Sequence, residues 1–238
     1  MDYTRDLYYR DIFNYYNFFT SGDLTDCELH VHKCKEDPSF TTIKAHKLIL
    51  ANSSLFFNNA FTAGMEESET GVTEIYQNPH NLIPRVIEWM YTGKIDFSVG
   101  ELMPLINIAH NFEITKLESK LNSIFEQHIN STTILDFAKK CYDDELPKEL
   151  QMLVPYIASH FNELPISELS STLDVFIFAQ VIQLTNLSTE EKVTKITEFL
   201  QDWNPSEEEK IALSKAFDPE ETNELNSLVL KHNITWLP

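Results

Sequence analysis

The stretch His46-Lys-Leu-Ile-Leu-Ala-Asn-Ser-Ser-Leu-Phe-Phe-Asn-Asn-Ala-Phe-Thr-Ala-Gly-Met-Glu-Glu-Ser68 decides how this chain is read. Two short helices fit it, one over His46–Ala51 and one over Leu55–Ala63. Upstream, Cys27-Glu-Leu-His-Val-His32 alternates apolar and polar residues, so a strand is expected with Cys27, Leu29 and Val31 on one face. The polar run Lys35-Glu-Asp-Pro38 then leads to a second alternating segment containing Phe40 and Ile43, which predicts a hairpin. Further upstream, Asp11–Phe19 reads as an amphipathic helix with Phe13, Tyr16 and Phe19 on its apolar side, stopped by Ser21-Gly22.

Downstream, Val72–Tyr76 reads as a further short strand. Ile83, Val86, Ile87, Met90 and Tyr91 recur at spacings of three and four, the pattern of a helix with one buried face. Thr92-Gly93 ends that helix, and Ile95 and Phe97 predict a last short strand. Helices follow around Glu101–Asn111 and Ile114–His128. Beyond about Ser131 the chain reads as almost entirely helical. Leu135, Ala138, Cys141 and Tyr142 form one stripe; Pro147 suits a first helical turn; Leu150, Leu153, Val154, Ile157 and Phe161 form the next stripe. Another helix covers about Leu173–Leu184. Ser188-x-x-Glu191 and Ser206-x-x-Glu209 are capping-box patterns, the first opening a helix with Val193, Ile196, Phe199 and Leu200 inward and Trp203 near its end. Asp218-Pro219 suits the start of a last helix. Helices this short are marginal alone and must stack to bury their stripes. Two domains are therefore expected: residues 1–128, mixing strands and helices, and 129–238, all helical.

The chain has 238 residues, of which 42% are hydrophobic, enough for one large core or two modest ones. Its 37 acidic residues against 18 basic ones give a formal charge of −19. That charge repels phosphate backbones and anionic lipid headgroups, arguing against nucleic-acid or membrane-surface binding. It favours solubility and basic partners, although a solvated acidic face is the commoner meaning of such a surplus. No apolar run approaches the ~20 residues that span a bilayer, and the acidic, aromatic N-terminus lacks the apolar stretch of a signal peptide. Cys27, Cys34 and Cys141 are too few and scattered for a disulfide framework, so a reducing, cytoplasmic or nuclear setting is expected. The sequons at Asn52, Asn130, Asn186 and Asn233 are then expected to stay unmodified.

The opening stretch closely resembles the central signature of BTB (POZ) domains, H-[RK]-x-x-L-x-x-x-S-x-x-F-x-x-x-F followed by a short turn and M-x-E-S. His46, Lys47, Leu50, Ser54, Phe57, Phe61, Met65, Glu67 and Ser68 fill it. Asp26 stands where the family has the Asp of its D-[VC]-x-L strand, and Trp89-Met-Tyr-Thr-Gly93 is similar to its [FW]-x-Y-[TS]-G. The resemblance covers about residues 11–128 and implies an α+β BTB/POZ fold of helices around a small sheet. Thr132–Leu164, with Ile134-Leu-Asp-Phe-Ala-Lys-Lys-Cys-Tyr142, resembles the helical box that precedes the BACK domain in Kelch-type BTB proteins. The remainder resembles BACK by helix order and Leu173-Asp-Val-Phe176. No Kelch repeats follow within the sequence and no MATH domain precedes.

The resemblance implies specific roles. Met65-Glu-Glu67, with Phe61 before it, matches the hydrophobic-x-Glu element that cullin-3-binding BTB domains present to the scaffold; the plain alternative is a Met closing the core beside a solvated Glu. Asp26 and Lys47 correspond to the charged pair beneath the BTB dimer groove, or equally form an ordinary intrachain salt bridge. Phe13 and Tyr16 would pack across a twofold axis, whereas without the family context they read as core residues. The function implied is a homodimeric adaptor for a cullin-3 ubiquitin ligase, recruiting an unknown substrate protein. A structural oligomerisation scaffold and a transcriptional co-regulator are the alternatives.

Cys27, His30, His32 and Cys34 invite a metal reading. Strand alternation sets Cys27 on the opposite face from the other three, which stand too far apart to grip one ion, and the spacing is not CxxC or HxxxH. The better expectation is a solvent-facing strand with no metal. No GxSxG, HExxH, GxGxxG or GxxxxGK occurs, so no enzyme and no cofactor are expected. Asp143-Asp-Glu145 and Glu207-Glu-Glu209 are expected at helix N-termini, where they complement the dipole.

Overall fold

The computed structural model describes residues 15–33, 38–76, 78–201, 203–232 and 234–237. It divides into two compact units, residues 1–125 and 126–238. Among the described residues the first begins with α1 (Tyr15–Ser21), ended by Gly22 at φ +71°, then β1 (Cys27–His32) and β2 (Phe40–Ala45). Next come α2 (Lys47–Ser53), α3 (Leu55–Thr62), α4 (Glu66–Thr70), β3 (Val72–Ile75), α5 (Ile83–Thr92), α6 (Leu102–Asn111) and α7 (Thr115–His128). Phe13 and the first part of the predicted N-terminal helix lie outside the described residues, as does Cys34.

The sheet has the order β2-β1-β3, with β1 and β2 antiparallel (Cys27 opposite Ala45, His32 opposite Phe40) and β1 and β3 parallel (Glu28 opposite Val72). Alternation in β1 does what the sequence predicts on one side: Cys27, Leu29 and Val31 are buried. The other side departs from expectation. His32 is buried and His30 half-buried, because β3 brings Glu74 alongside and the rings of Phe40 and Tyr76 stack on His30 and His32 at 4.1 and 4.5 Å. His30 Nδ1 and His32 Nε2 lie 2.8 and 2.7 Å from the two Glu74 oxygens. Both imidazoles hold that carboxyl below its usual range, against the desolvation that raises it. Among the described residues no group of three or more His, Cys, Asp or Glu is placed to hold a metal ion.

Ile95 and Phe97 do not form the predicted strand: they are half-buried between exposed Lys94, Asp96 and Ser98, but pair with no neighbour among the described residues. Alternation tells which side of an extended segment meets the core; it cannot supply the edge whose N–H and C=O groups a strand needs.

The second unit contains α8 (Ile134–Asp143), α9 (Pro147–Ser159), α10 (Ile166–Thr172), α11 (Val175–Leu184), α12 (Thr189–Leu200), α13 (Glu207–Ser214) and α14 (Thr222–His232). Helices pack as α8 on α9, α9 on α11, α11 on α13, α10 on α12 and α12 on α14. Phe178 of α11 stacks on Phe199 of α12 at 3.7 Å, both side chains buried. Three capping boxes start elements here, at Ser188/Glu191, Ser206/Glu209 and Asp218/Glu221. The α8 stripe differs from expectation: Ile134, Phe137, Ala138 and Cys141 are buried, whereas Tyr142 is 61% exposed. Asp143 closes α8 and Asp144 follows as its C-cap, paired with Lys140 at 3.3 Å, so this acidic run ends one helix instead of opening the next. Glu207–Glu209 do sit in the first turn of α13. No described helix is long and apolar enough to cross a membrane.

Candidate partner-binding site

The signature residues converge on one corner of the first unit. His46 donates its backbone N–H to the Tyr91 hydroxyl at 2.9 Å, and its Nδ1 is also 2.9 Å from that oxygen. Nε2 meets the Asp23 carbonyl at 2.9 Å. A carbonyl only accepts, so Nε2 carries a proton. One histidine thus ties the loop before β1 to α5, and Phe19 of α1 stacks on Tyr91 at 4.6 Å. Desolvation is the main reason the Tyr91 hydroxyl is pushed up to about 12. Ser54 caps α3 by accepting from Phe57 N–H at 3.1 Å and donates to the Phe112 carbonyl at 2.6 Å, which fixes α3 against the end of α6. Phe57 and Phe56 pack on Phe112 there, at 5.7 and 5.0 Å.

Asp26 and Lys47 meet, but not as an ion pair. The Asp26 carboxylate accepts the Lys47 backbone N–H at 2.7 Å, capping α2, while the ammonium turns away to the Ser68 carbonyl at 3.2 Å and the Phe61 ring at 5.4 Å. The salt-bridge expectation is corrected to a carboxylate–amide contact, because the helix start presents an N–H closer to Asp26 than the end of the long lysine stem. Gly71, at φ +70°, permits this crowding: a Cβ there would lie 3.1 Å from the Asp26 carbonyl and 3.7 Å from the lysine ammonium.

Phe61 is therefore half-buried, stacked on Phe57 at 5.9 Å beneath the lysine. Met65 stands past the Gly64 turn as the N-cap of α4, in extended conformation and 50% exposed. Its carbonyl accepts both the Ser68 N–H (2.9 Å) and the Ser68 hydroxyl (2.6 Å). Glu67, half-buried, follows in the first turn of α4. The structure thus holds a thioether out to solvent on a braced turn with a carboxylate two residues on. An apolar side chain closing the core would not be half exposed.

A second surface lies on α1, with no buried residue along its length. Tyr15, Tyr16 and Phe18 are 40%, 37% and 43% exposed, and Leu24 and Leu48 are 80% and 77% exposed. Glu88 of α5 stands near the Tyr16 hydroxyl, and its carboxylate raises the phenol's pKa. The sequence pattern did not single out Phe18, Leu24 or Leu48. Their signal was available only as apolar residues at positions the core does not use, and it takes a tertiary structure to say which those are.

Neither described cysteine is poised as a nucleophile: burial, chiefly, pushes the Cys27 and Cys141 thiols up to about 12.

The class of module follows from this arrangement. A BTB/POZ domain model matches residues 15–129, and these residues are a BTB/POZ domain. Over the BTB region the chain is homologous to Kelch-like proteins. It is 23% identical over 152 residues to Kelch-like protein 7 of Gallus gallus, covering 64% of this chain and 25% of that protein. It is 26% identical over 165 residues to Kelch repeat protein M-T8 of Myxoma virus (66% and 30%). BTB and MATH domain-containing protein 42 of Caenorhabditis elegans is 28% identical over 117 residues (48% and 27%). The chain spans about a quarter to a third of the length of these relatives. The part after the BTB/POZ domain is helical, and no Kelch repeats are evident in it.

Proposed function

We propose that this chain is a homodimeric BTB adaptor for a cullin-3 scaffold, bringing a substrate protein to ubiquitin transfer while performing no chemistry itself. The observation that carries the reading is Met65: half exposed at the head of α4, braced by Ser68, with Glu67 beside it. An apolar anchor entering a pocket while a carboxylate meets a donor at its rim is a sound binding pair. The exposed aromatic face of α1, continued in composition by Leu24 and Leu48, supports self-association, since apolar side chains of that size gain by burial against a second copy. Dimerisation presents two scaffold-binding faces and strengthens engagement of a multivalent target.

The helical part, BACK-like by helix order, extends the adaptor in this reading, and its place is the cytoplasm or nucleus. An oligomerisation scaffold without cullin would use the same α1 face and leave Met65 idle. A titration of the full chain with the cullin-3 N-terminal domain, wild type against Met65→Asp and Glu67→Ala, separates the two.

A further inference from the structure

In the second unit a cavity of about 430 Å³ opens along α12. Val193 and Leu200 of α12, Leu228 of α14 and Trp236 give it an apolar lining. Trp236 is fixed: its indole N–H donates to the Thr197 hydroxyl at 3.1 Å, its ring stacks on Phe217 at 6.4 Å, and it is 5% exposed.

Trp203 lines the same cavity yet is 63% exposed. It follows a reversal at Gln201, which takes φ +49° and ψ −115°, a conformation that non-glycine residues rarely adopt, and its N–H donates to the Leu200 carbonyl at 2.7 Å. The chain thus turns sharply and leaves a tryptophan in water beside a cavity.

The ionisable lining is acidic: Glu190 and Glu198, with no basic side chain among the described lining residues. Glu190 meets Lys231 at 3.6 Å and Glu198 meets Lys195 at 2.8 Å. Exposed pairs of this kind contribute little and yield readily to a competing cation.

We propose that this groove docks a partner segment that carries a lysine or arginine next to an apolar residue. The apolar side chain fills the Val193–Leu228–Trp236 lining, and the cation sits against Trp203 and Glu198, with Glu190 adding its negative field from the other end of α12. Charge complementarity argues for that occupant: the lining is one-signed, the chain carries −19, and an indole face is the best aromatic partner for a cation. This deepens the adaptor reading by giving it a target-facing surface, and rests on it only for the use of that surface.

The test is fluorescence anisotropy on the full chain with no cullin present, so its failure is distinct from failure of scaffold binding. The probes are a fluorescein-labelled hexapeptide of alternating Arg and Leu, and the same peptide with Glu in place of Arg. The proposal expects saturable binding of the Arg–Leu peptide, tighter than the Glu–Leu peptide by about tenfold or more. Trp203→Ala and the double variant Glu190→Gln/Glu198→Gln should each weaken it by about fivefold or more, with melting temperatures unchanged. The control Glu207→Gln/Glu208→Gln, which removes the same charge elsewhere on this unit, should leave binding within about twofold of wild type. Absence of saturable binding, wild-type affinity in Trp203→Ala, or an equal loss in the control would each overturn the proposal.

Discussion

The Lys47 ammonium lies over the Phe61 ring, 5.4 Å from its centroid, and donates to the Ser68 carbonyl at 3.2 Å. One cation thereby links α3 to α4, the two helices on either side of Met65. Lys47→Ala should cost about 1–2 kcal/mol in chemical denaturation, from the lost ring contact and the carbonyl left without its donor. Lys47→Arg should recover part of it. A variant as stable as wild type would show that the ammonium braces nothing.

Ser54 joins two roles in one hydroxyl, capping α3 and satisfying the buried Phe112 carbonyl. Ser54→Ala removes both and should cost about 2–3 kcal/mol, more than an exposed cap loses. Equilibrium unfolding in urea reads this directly; a loss below about 0.5 kcal/mol would contradict it.

Gly64 and Gly71 both take φ +70°, but only Gly71 has a neighbour in the way. Gly64→Ala should cost about 1 kcal/mol, the conformational penalty alone. Gly71→Ala adds a contact 3.1 Å from the Asp26 carbonyl and should cost clearly more, seen as a lower melting temperature of the pair. Equal losses would mean that the β1–α2 crowding relaxes freely.

Glu101 accepts from Arg85 at 2.7 Å and from the Ser98 N–H at 2.7 Å, and these contacts, Arg85 foremost, hold its carboxyl down to about 2 against an ordinary 4.5. The folded value lies below the unfolded one, so the stabilisation is complete above about pH 4.5 and is lost as pH falls towards 2. The stability gap between wild type and Glu101→Gln should therefore be wide at pH 7 and shrink steadily as pH falls from about 4.5 towards 2. A gap independent of pH would refute the assignment.

Much of the fold was legible because it is written in local chemistry. Alternation located β1 and β2, three-and-four spacing located α5 and α9, and Ser188/Glu191 and Ser206/Glu209 formed the boxes their spacing announces. Two short helices, α4 and α10, carry too few apolar positions to show a period. What stayed hidden depends on neighbours distant in sequence. The Glu74 carboxylate, more than forty residues away, turned a strand face expected to meet water into the His30–Glu74–His32 cluster. Asp26 and Lys47 meet, but which Lys47 nitrogen Asp26 touches is decided by where α2 begins. Met65 and Glu67 were named by the signature; only the structure shows the thioether half exposed on a braced turn.

The most direct test of the adaptor account is calorimetric titration of the purified full chain with the cullin-3 N-terminal domain, with light scattering on the same sample. A cullin-3 adaptor is expected to be a dimer that binds two scaffold domains with a Kd of about 10 μM or tighter, and to lose at least about tenfold in affinity in Met65→Asp, with the dimer and its melting temperature intact. No binding at tens of micromolar, a monomer in solution, or undiminished affinity in Met65→Asp would contradict it.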